Sequence, residues 1–189
     1  MADLKTLISK CKIKDKRAEY ELYKACFAML MGISMRYVTN KDDAVDLLNR
    51  AFLKIINSIG SFDESKAFDK WAKTILVNTI IDEFRKGKNH KNLFSEAELD
   101  QIPSESVPFD LNEAEERLNA KDILKEIQKL PEACREVLNL HVFEGLSHEE
   151  ISESLNIAPS TSRWQLAKAR ALLKLKFGKL LTSKKMKVA

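Results

Sequence analysis

The chain has 189 residues, 44% of them apolar and 32% charged, with a formal net charge of +4. That length suits one medium domain or two small ones, each with its own core, and is too short for a large α/β barrel. Five glycines and four prolines are too few for turn-dense sandwiches and barrels, so an all-α architecture is expected. No stretch approaches the ~18 uncharged apolar residues of a membrane span, and MADLKTLISKCKIKDK lacks the apolar core of a secretory leader. A cytoplasmic protein without membrane insertion is therefore expected. Cys11, Cys26 and Cys134 are odd in number, far apart and without C-x-x-C spacing; they read as reduced packing residues, not as disulfides or zinc ligands.

In residues 17–38, Leu22, Cys26, Met29, Ile33 and Tyr37 fall in helical register, and the turn TNKDD leads into a second helix. From residue 42 to 59 the apolar positions Ala44, Leu47, Leu48, Ala51, Phe52, Ile55, Ile56 and Ile59 recur at i, i+3 and i+4 over four turns. The short connection makes these two helices antiparallel neighbours. The opposite face of the second holds Asp46, Asn49 and Arg50 but also Val45 and Leu53, two apolar residues that call for a covering helix or a partner. After a loop at 59–65, residues 66–86 form a third helix burying Phe68, Trp71, Ala72, Ile75, Ile80 and Phe84. It also carries a polar stripe, Lys70, Thr74, Asn78, Asp82, Arg85 and Lys86, which runs into the basic run RKGKNHK at 85–91. Hydrogen-bonding side chains leading to positive charge suit a helix lying along nucleic acid, although a plain solvated face is the default reading of such a stripe.

Residues 93–116 hold eight acids, no Lys or Arg and two of the four prolines, the composition of a linker. On either side, residues 1–92 carry 18 basic and 12 acidic side chains and residues 117–189 carry 14 and 8, so two modules of +6 flank a segment of −8. Beyond it, Leu130-Pro131-Glu132 opens a helix that Gly145 closes. Ser147 and Glu150 form a capping box for a short helix through Ile151 and Leu155. Asn156-Ile157-Ala158 makes a tight turn, with Asn156 left-handed and Ile157 buried; Pro159 starts the next helix, Ser160 to about residue 176, which turns Leu166, Ala169, Leu172 and Leu173 inward. A short helix, a three-residue turn and a longer basic helix constitute a helix-turn-helix, whose second helix enters the major groove. Ser160, Thr161, Arg163, Trp164 and Lys168 are placed to touch bases or phosphates there. Arg163 is the candidate for bidentate readout of a guanine edge, while Lys168, Arg170, Lys174 and Lys176 add backbone attraction. From residue 154 onward there are nine Lys or Arg and no acid.

The order of these pieces resembles the extracytoplasmic-function group of sigma factors in the sigma-70 superfamily, over residues 14–177. KDKRAEYELYKACF, NKDDAVDLLNRAFLKIINSIGSF and FDKWAKTILVNTIIDEFRKGK are similar to domain 2 of that family. LPEACREVLNLHVFEGLSHEEISESLNIAPSTSRWQLAKARALL is similar to domain 4. The resemblance implies two helical domains, at 1–92 and 117–189, joined by an acidic linker at 93–116. It implies binding to core RNA polymerase at its clamp and flap regions, recognition of the −10 and −35 promoter elements, and duplex opening. By match to the family pattern, Asp46, Asn49 and Arg50 contact the clamp, which accounts for Val45 and Leu53. The stripe from Lys70 to Lys86, with Asn78 and Asp82, lies on the helix that handles the −10 element. The loop from Ser61 to Lys66 stands where relatives hold a flipped non-template base, which costs energy to unstack and is stabilised by a pocket. Residues 160–170 match the helix that reads the −35 element, and the linker is expected to run through positively charged polymerase channels.

Four positions depart from the pattern. Asn49-Arg50 stand where the family usually has Gln-Glu, Asn156 replaces the turn glycine, and Ser162 takes a commonly apolar place. An anti-sigma protein, or expression level, is expected to supply control. The alternative is a helix-turn-helix regulator acting without polymerase, which leaves the first module and the linker unassigned. His90, His141 and His148 are not spaced as metal ligands and no glycine-rich phosphate loop is present, so no catalytic residue, metal or cofactor is expected.

Overall fold

The computed structural model describes residues 3–89 and 119–188, with side chains over 3–86 and 119–177. The expected linker at 93–116 lies outside the described residues, as do the last two residues of the basic run at 85–91. Among the described residues there are eight α-helices and no strand. The chain divides into two compact units, Met1–Lys86 and Gly87–Ala189.

The first unit begins with α1 (Leu4–Lys12), an element the apolar pattern does not disclose, because its buried residues Leu7, Ile8 and Cys11 span barely one turn. It ends in a Schellman motif. Lys14 adopts φ +62, the Lys14 N–H donates to the Cys11 carbonyl at 2.9 Å, and the Asp15 N–H reaches the Lys10 carbonyl at 3.1 Å. The Asp15 carboxylate then caps α2 (Lys16–Tyr37) by accepting the N–H groups of Arg17 and Ala18. Helix α2 buries Leu22, Cys26, Leu30, Ile33 and Tyr37, and leaves Met29 half-buried. Asn40 caps α3 (Lys41–Ser58) through the Asp43 N–H at 2.8 Å, and two first-turn acids, Asp42 and Asp43, favour its positive end.

Helix α3 buries Ala44, Leu47, Leu48, Ala51 and Ile55 against α2, as the periodicity predicts. Phe52 and Ile56 sit half-buried at the edges of that stripe. A single 3₁₀ turn, Ile59–Ser61, carries the chain into the loop before α4 (Phe68–Asn89). The core face of α4 is rotated from the expected one. Phe68, Ala72, Leu76, Val77, Ile80 and Ile81 are buried, whereas Trp71, Ile75 and Phe84 are half-buried at its margin. Periodicity locates an apolar stripe, but its centre is set by which neighbours cover it. Each fully buried Leu or Ile here, such as Leu22, Leu30, Leu48, Ile55, Leu76 and Ile80, contributes ~1.5–3 kcal/mol of transfer free energy.

The second unit opens with another helix too short to show a periodic stripe, α5 (Ala120–Gln128), capped by Asn119 and burying Ile123 and Ile127. Helix α6 (Glu132–Leu138) follows Pro131, then widens into a π turn, Asn139–Phe143. The buried Arg135 guanidinium donates to the carbonyls of Gln128, the last residue of α5, at 2.9 Å and of Leu130, in the turn that follows, at 3.1 Å, so it satisfies one carbonyl that α5 leaves open and one of the connection. Gly145, at φ +76, ends the segment. Helix α7 (His148–Leu155) shows the expected capping box of Ser147 and Glu150. Asn156 is left-handed at φ 52 and ψ 54, and Ile157 in the turn is half-buried, less enclosed than expected, while its carbonyl accepts the Ser152 hydroxyl at 2.6 Å. Helix α8 (Pro159–Val188) starts at the expected proline and buries Ser162, Gln165, Leu166, Ala169, Leu173 and Phe177, with Leu172 half-buried at the rim.

The three cysteines are buried, as expected of packing residues. Burial pushes the thiol of Cys11 up to about 11 and that of Cys26 up to about 12, so both are neutral and poor nucleophiles.

Candidate nucleic-acid and partner interfaces

On the outer face of α3, Asp46, Asn49 and Arg50 are exposed, Val45 is half-buried and Leu53 is 62% exposed. Among the described residues of this unit, no helix covers Leu53. Asn49 is oriented from α2: its Oδ1 accepts the Tyr23 hydroxyl at 2.9 Å, and the Tyr23 ring packs edge-on against Phe52 at 5.0 Å and tilted against Phe27 at 5.7 Å. Arg50 is bound within the unit. Its guanidinium contacts Asp46 at 2.8 Å, one turn back on α3, and Glu83 at 2.9 Å on α4. A second cross-helix pair, Lys54 to Asp82 at 3.0 Å, runs beside it. These charges form a seam between α3 and α4 that sequence spacing does not reveal.

The stripe on α4 lies where expected. Lys70, Thr74, Asn78, Arg85 and Lys86 are exposed, and Asp82 is half-buried and paired with Lys54. The Thr74 hydroxyl turns back to the Lys70 carbonyl at 2.9 Å, and Lys86 pairs with Glu83 at 2.9 Å. The Glu83 carboxyl is held below the usual carboxylate range, first by the Lys86 hydrogen bond and then by the Arg50 charge.

Upstream of α4, the loop is built on an aromatic base. Phe62 is buried, 5.4 Å from Phe68 and 4.9 Å from Trp71 between ring centres. Above it, Asp63 Oδ1 accepts both the Ser65 N–H at 3.0 Å and the Ser65 hydroxyl at 2.7 Å, and the Lys66 N–H closes a turn on the Asp63 carbonyl. Ser61 and Lys66 are exposed; the Ser61 hydroxyl donates to the Ser58 carbonyl, and Lys66 stands 4.0 Å from Asp63.

In the second unit, α8 presents Ser160, Arg163, Arg170, Lys174 and Lys176 to solvent, with Thr161, Trp164 and Lys168 half-buried among them. Arg163 has a long contact to Glu149 at 3.4 Å, weak enough for a stronger acceptor to replace. The Lys168 ammonium lies 4.6 Å over the Trp164 ring, so the two side chains are one stacked unit. Behind them Ser162 is fully buried, 2.9 Å from His148 Nδ1, and His148 stacks on His141 with ring centres 4.7 Å apart. Ser162 thus fills a commonly apolar position by bonding to α7. Burial, and then the neighbouring His141, lower the His148 pKa, with Arg163 and Arg170 adding to this and Glu149 opposing it. No group of three or more metal-ligating side chains is brought together among the described residues, and no helix there is long and apolar enough to cross a membrane.

Residues 22–90 match the family Sigma-70 region 2, and residues 120–173 match Sigma-70, region 4. Among curated relatives, the chain is 31% identical over 162 residues to the ECF RNA polymerase sigma factor SigW of Bacillus subtilis, covering 82% of this chain and 81% of that one. It is 28% identical over 181 residues to the ECF RNA polymerase sigma-E factor of Haemophilus influenzae, with 93% and 95% covered. A solved relative is the sigma factor RpoE bound to the anti-sigma factor NepR from Bartonella quintana, 21% identical, with a TM-score of 0.47 over 85% of this chain and 96% of that one. The two regions fall in the family's order, one on each unit, and the chain belongs to the sigma-70 family as an RNA polymerase sigma factor of the extracytoplasmic-function group.

Proposed function

We propose that the two units divide promoter recognition, with boundaries at 1–92, 93–116 and 117–189. Helix α3, through Val45, Asp46, Asn49, Arg50 and Leu53, docks on the polymerase clamp. Helix α4, through Lys70, Thr74, Asn78, Asp82, Arg85 and Lys86, follows the −10 element, and the loop from Ser61 to Lys66 receives an unstacked base. Helix α8 reads the −35 element with Ser160, Thr161, Arg163, Trp164, Lys168 and Arg170. Core polymerase supplies the chemistry of RNA synthesis; this subunit supplies no catalytic group, needs no cofactor, and works in the cytoplasm where polymerase is. An anti-sigma protein, or the level of expression, sets when it acts.

The observation that carries this reading is the division of α8 into a buried face, Leu166, Ala169, Leu173 and Phe177, and an exposed basic one beginning at its first turn. That disposition leaves the N-terminal turns of the helix open to a groove. Leu53, exposed beside Asn49, supports docking of α3 on a partner. The test is co-elution of the chain with bacterial core polymerase, followed by footprinting of the holoenzyme on a promoter selected from a random library. Protection of both elements is expected. Sequence-selective binding by the chain alone, with no association with core, would sink the proposal.

A further inference from the structure

Lys12 lies on α1, outside every element assigned above to DNA or polymerase. Its ammonium donates to Glu64 Oε1 at 2.6 Å and to the Phe62 carbonyl at 3.3 Å, across a sequence separation of 50 residues and more. It therefore spans two consecutive parts of the 61–66 loop, one backbone and one side chain. The rest of the loop is held locally: Phe62 by Phe68 and Trp71, and Asp63 by its turn with Ser65. Glu64, between these anchors, is tied down by a helix at the other end of the unit's sequence.

We propose that Lys12 is a positioning residue that presets the 61–66 loop to receive the unstacked base. This rests on the reading, given above, that the loop is where that base goes. Two physical effects follow from the geometry. A loop already ordered does not have to be ordered when the base arrives, so the cost of fixing it is removed from promoter opening. Lys12 also offsets the charge of Glu64, leaving Asp63 to Lys66. Without it, an unpaired carboxylate would face a phosphate-bearing strand.

The experiment uses holoenzymes reconstituted with bacterial core polymerase on promoters whose −10 element has been varied base by base. Opening rates, read by 2-aminopurine fluorescence, give the discrimination ratio between the preferred base and the others. Lys12→Met is expected to lower that ratio about threefold to fivefold, the range for a part-exposed charged contact, with co-elution on core unchanged. Glu64→Gln, which leaves α1 untouched, should act in the same direction and less, and carries the test should Lys12→Met fold poorly. The exchange Lys12→Glu with Glu64→Lys should recover part of the ratio, since it restores the ion pair but not the bond to the Phe62 carbonyl. A mere effect on folding would lower all rates together and leave the ratio unmoved, which would overturn the proposal. A Gly-Ser replacement of residues 61–66 separates the two ideas. If it abolishes discrimination while Lys12→Met and Glu64→Gln leave it intact, Lys12 has no positioning role and the loop reading stands. If it leaves discrimination intact, the loop reading fails and the proposal with it.

Discussion

Arg50 reverses the charge that the family pattern leads one to expect, but it does so inside a ring of compensating acids, Asp46 and Glu83. Arg50→Glu therefore does two things at once: it returns an acid to the outer face of α3 and sets three carboxylates against one another. The single variant is expected to melt a few degrees lower than the parent, no more, because the pairs are exposed; thermal scans at low and high salt check this, the difference shrinking as salt rises. Arg50→Glu with Glu83→Lys rebuilds the cross-helix pair in reverse and should recover most of the loss, so core affinity of the double variant reports the charge at the clamp more cleanly. At His148 the sign of the pH effect is fixed by the lowered folded-state pKa. The folded unit binds fewer protons there than the unfolded chain, so the contribution is fully present above the ordinary value near 6.5 and is lost as pH falls through the folded value. Thermal midpoints of the full chain from pH 7.5 to 5 should show the second unit's transition falling more steeply than that of a His148→Gln variant. Parallel slopes would remove His148 from the account.

The elements built from local signals were legible from their residues alone. Ser147 and Glu150 form their capping box, Pro159 starts α8, and Asn156 turns left-handed between α7 and α8. Each depends on atoms three or four residues apart, which spacing specifies. Ser147→Ala should accordingly cost about 1 kcal/mol of folding free energy in urea titrations. Helices α1 and α5 escaped because nine residues with two or three buried positions give too short a stripe to read as periodic. The margins of α4 depart from the periodic pattern for a different reason. Trp71, Ile75 and Phe84 belong to the apolar side but lie off its centre, and only packing against α2 and α3 decides which of two adjacent rows is covered. At the candidate interfaces the residue types and faces were legible, while their ties were not: Tyr23 to Asn49, Arg50 to Glu83, Lys54 to Asp82 and His148 to Ser162 join positions 14 to 33 apart. The backbone at Lys14 adds one more consequence. A lysine at φ +62 sits where a glycine carries no Cβ penalty, so Lys14→Gly is expected to be neutral or to stabilise by up to about 1 kcal/mol, whereas Lys14→Val should destabilise.

For the molecule as a whole, the charge distribution sets what DNA binding must look like. Both flanking modules carry +6, and the region from residue 154 onward carries nine bases without an acid, so much of the attraction of α8 for a duplex is phosphate neutralisation and independent of sequence. Such binding weakens linearly in log salt, with a slope of about −0.9 for each phosphate contact. Residues far along the exposed face and residues at its first turns should then separate by how they fail. Lys174→Gln and Lys176→Gln are each expected to reduce the slope by about one and to weaken binding to any duplex alike. Arg163→Ala should instead erase ~1–3 kcal/mol of preference for one base pair, since a guanidinium reads an edge as well as attracting a phosphate. Fluorescence anisotropy on selected and scrambled −35 duplexes, over a series of salt concentrations, measures both quantities for each variant. If Arg163→Ala changed only the slope, the bases would have to be read from elsewhere on α8, and the stacked pair Trp164 and Lys168, which shares its early turns with Ser160 and Thr161, would be the place to look next.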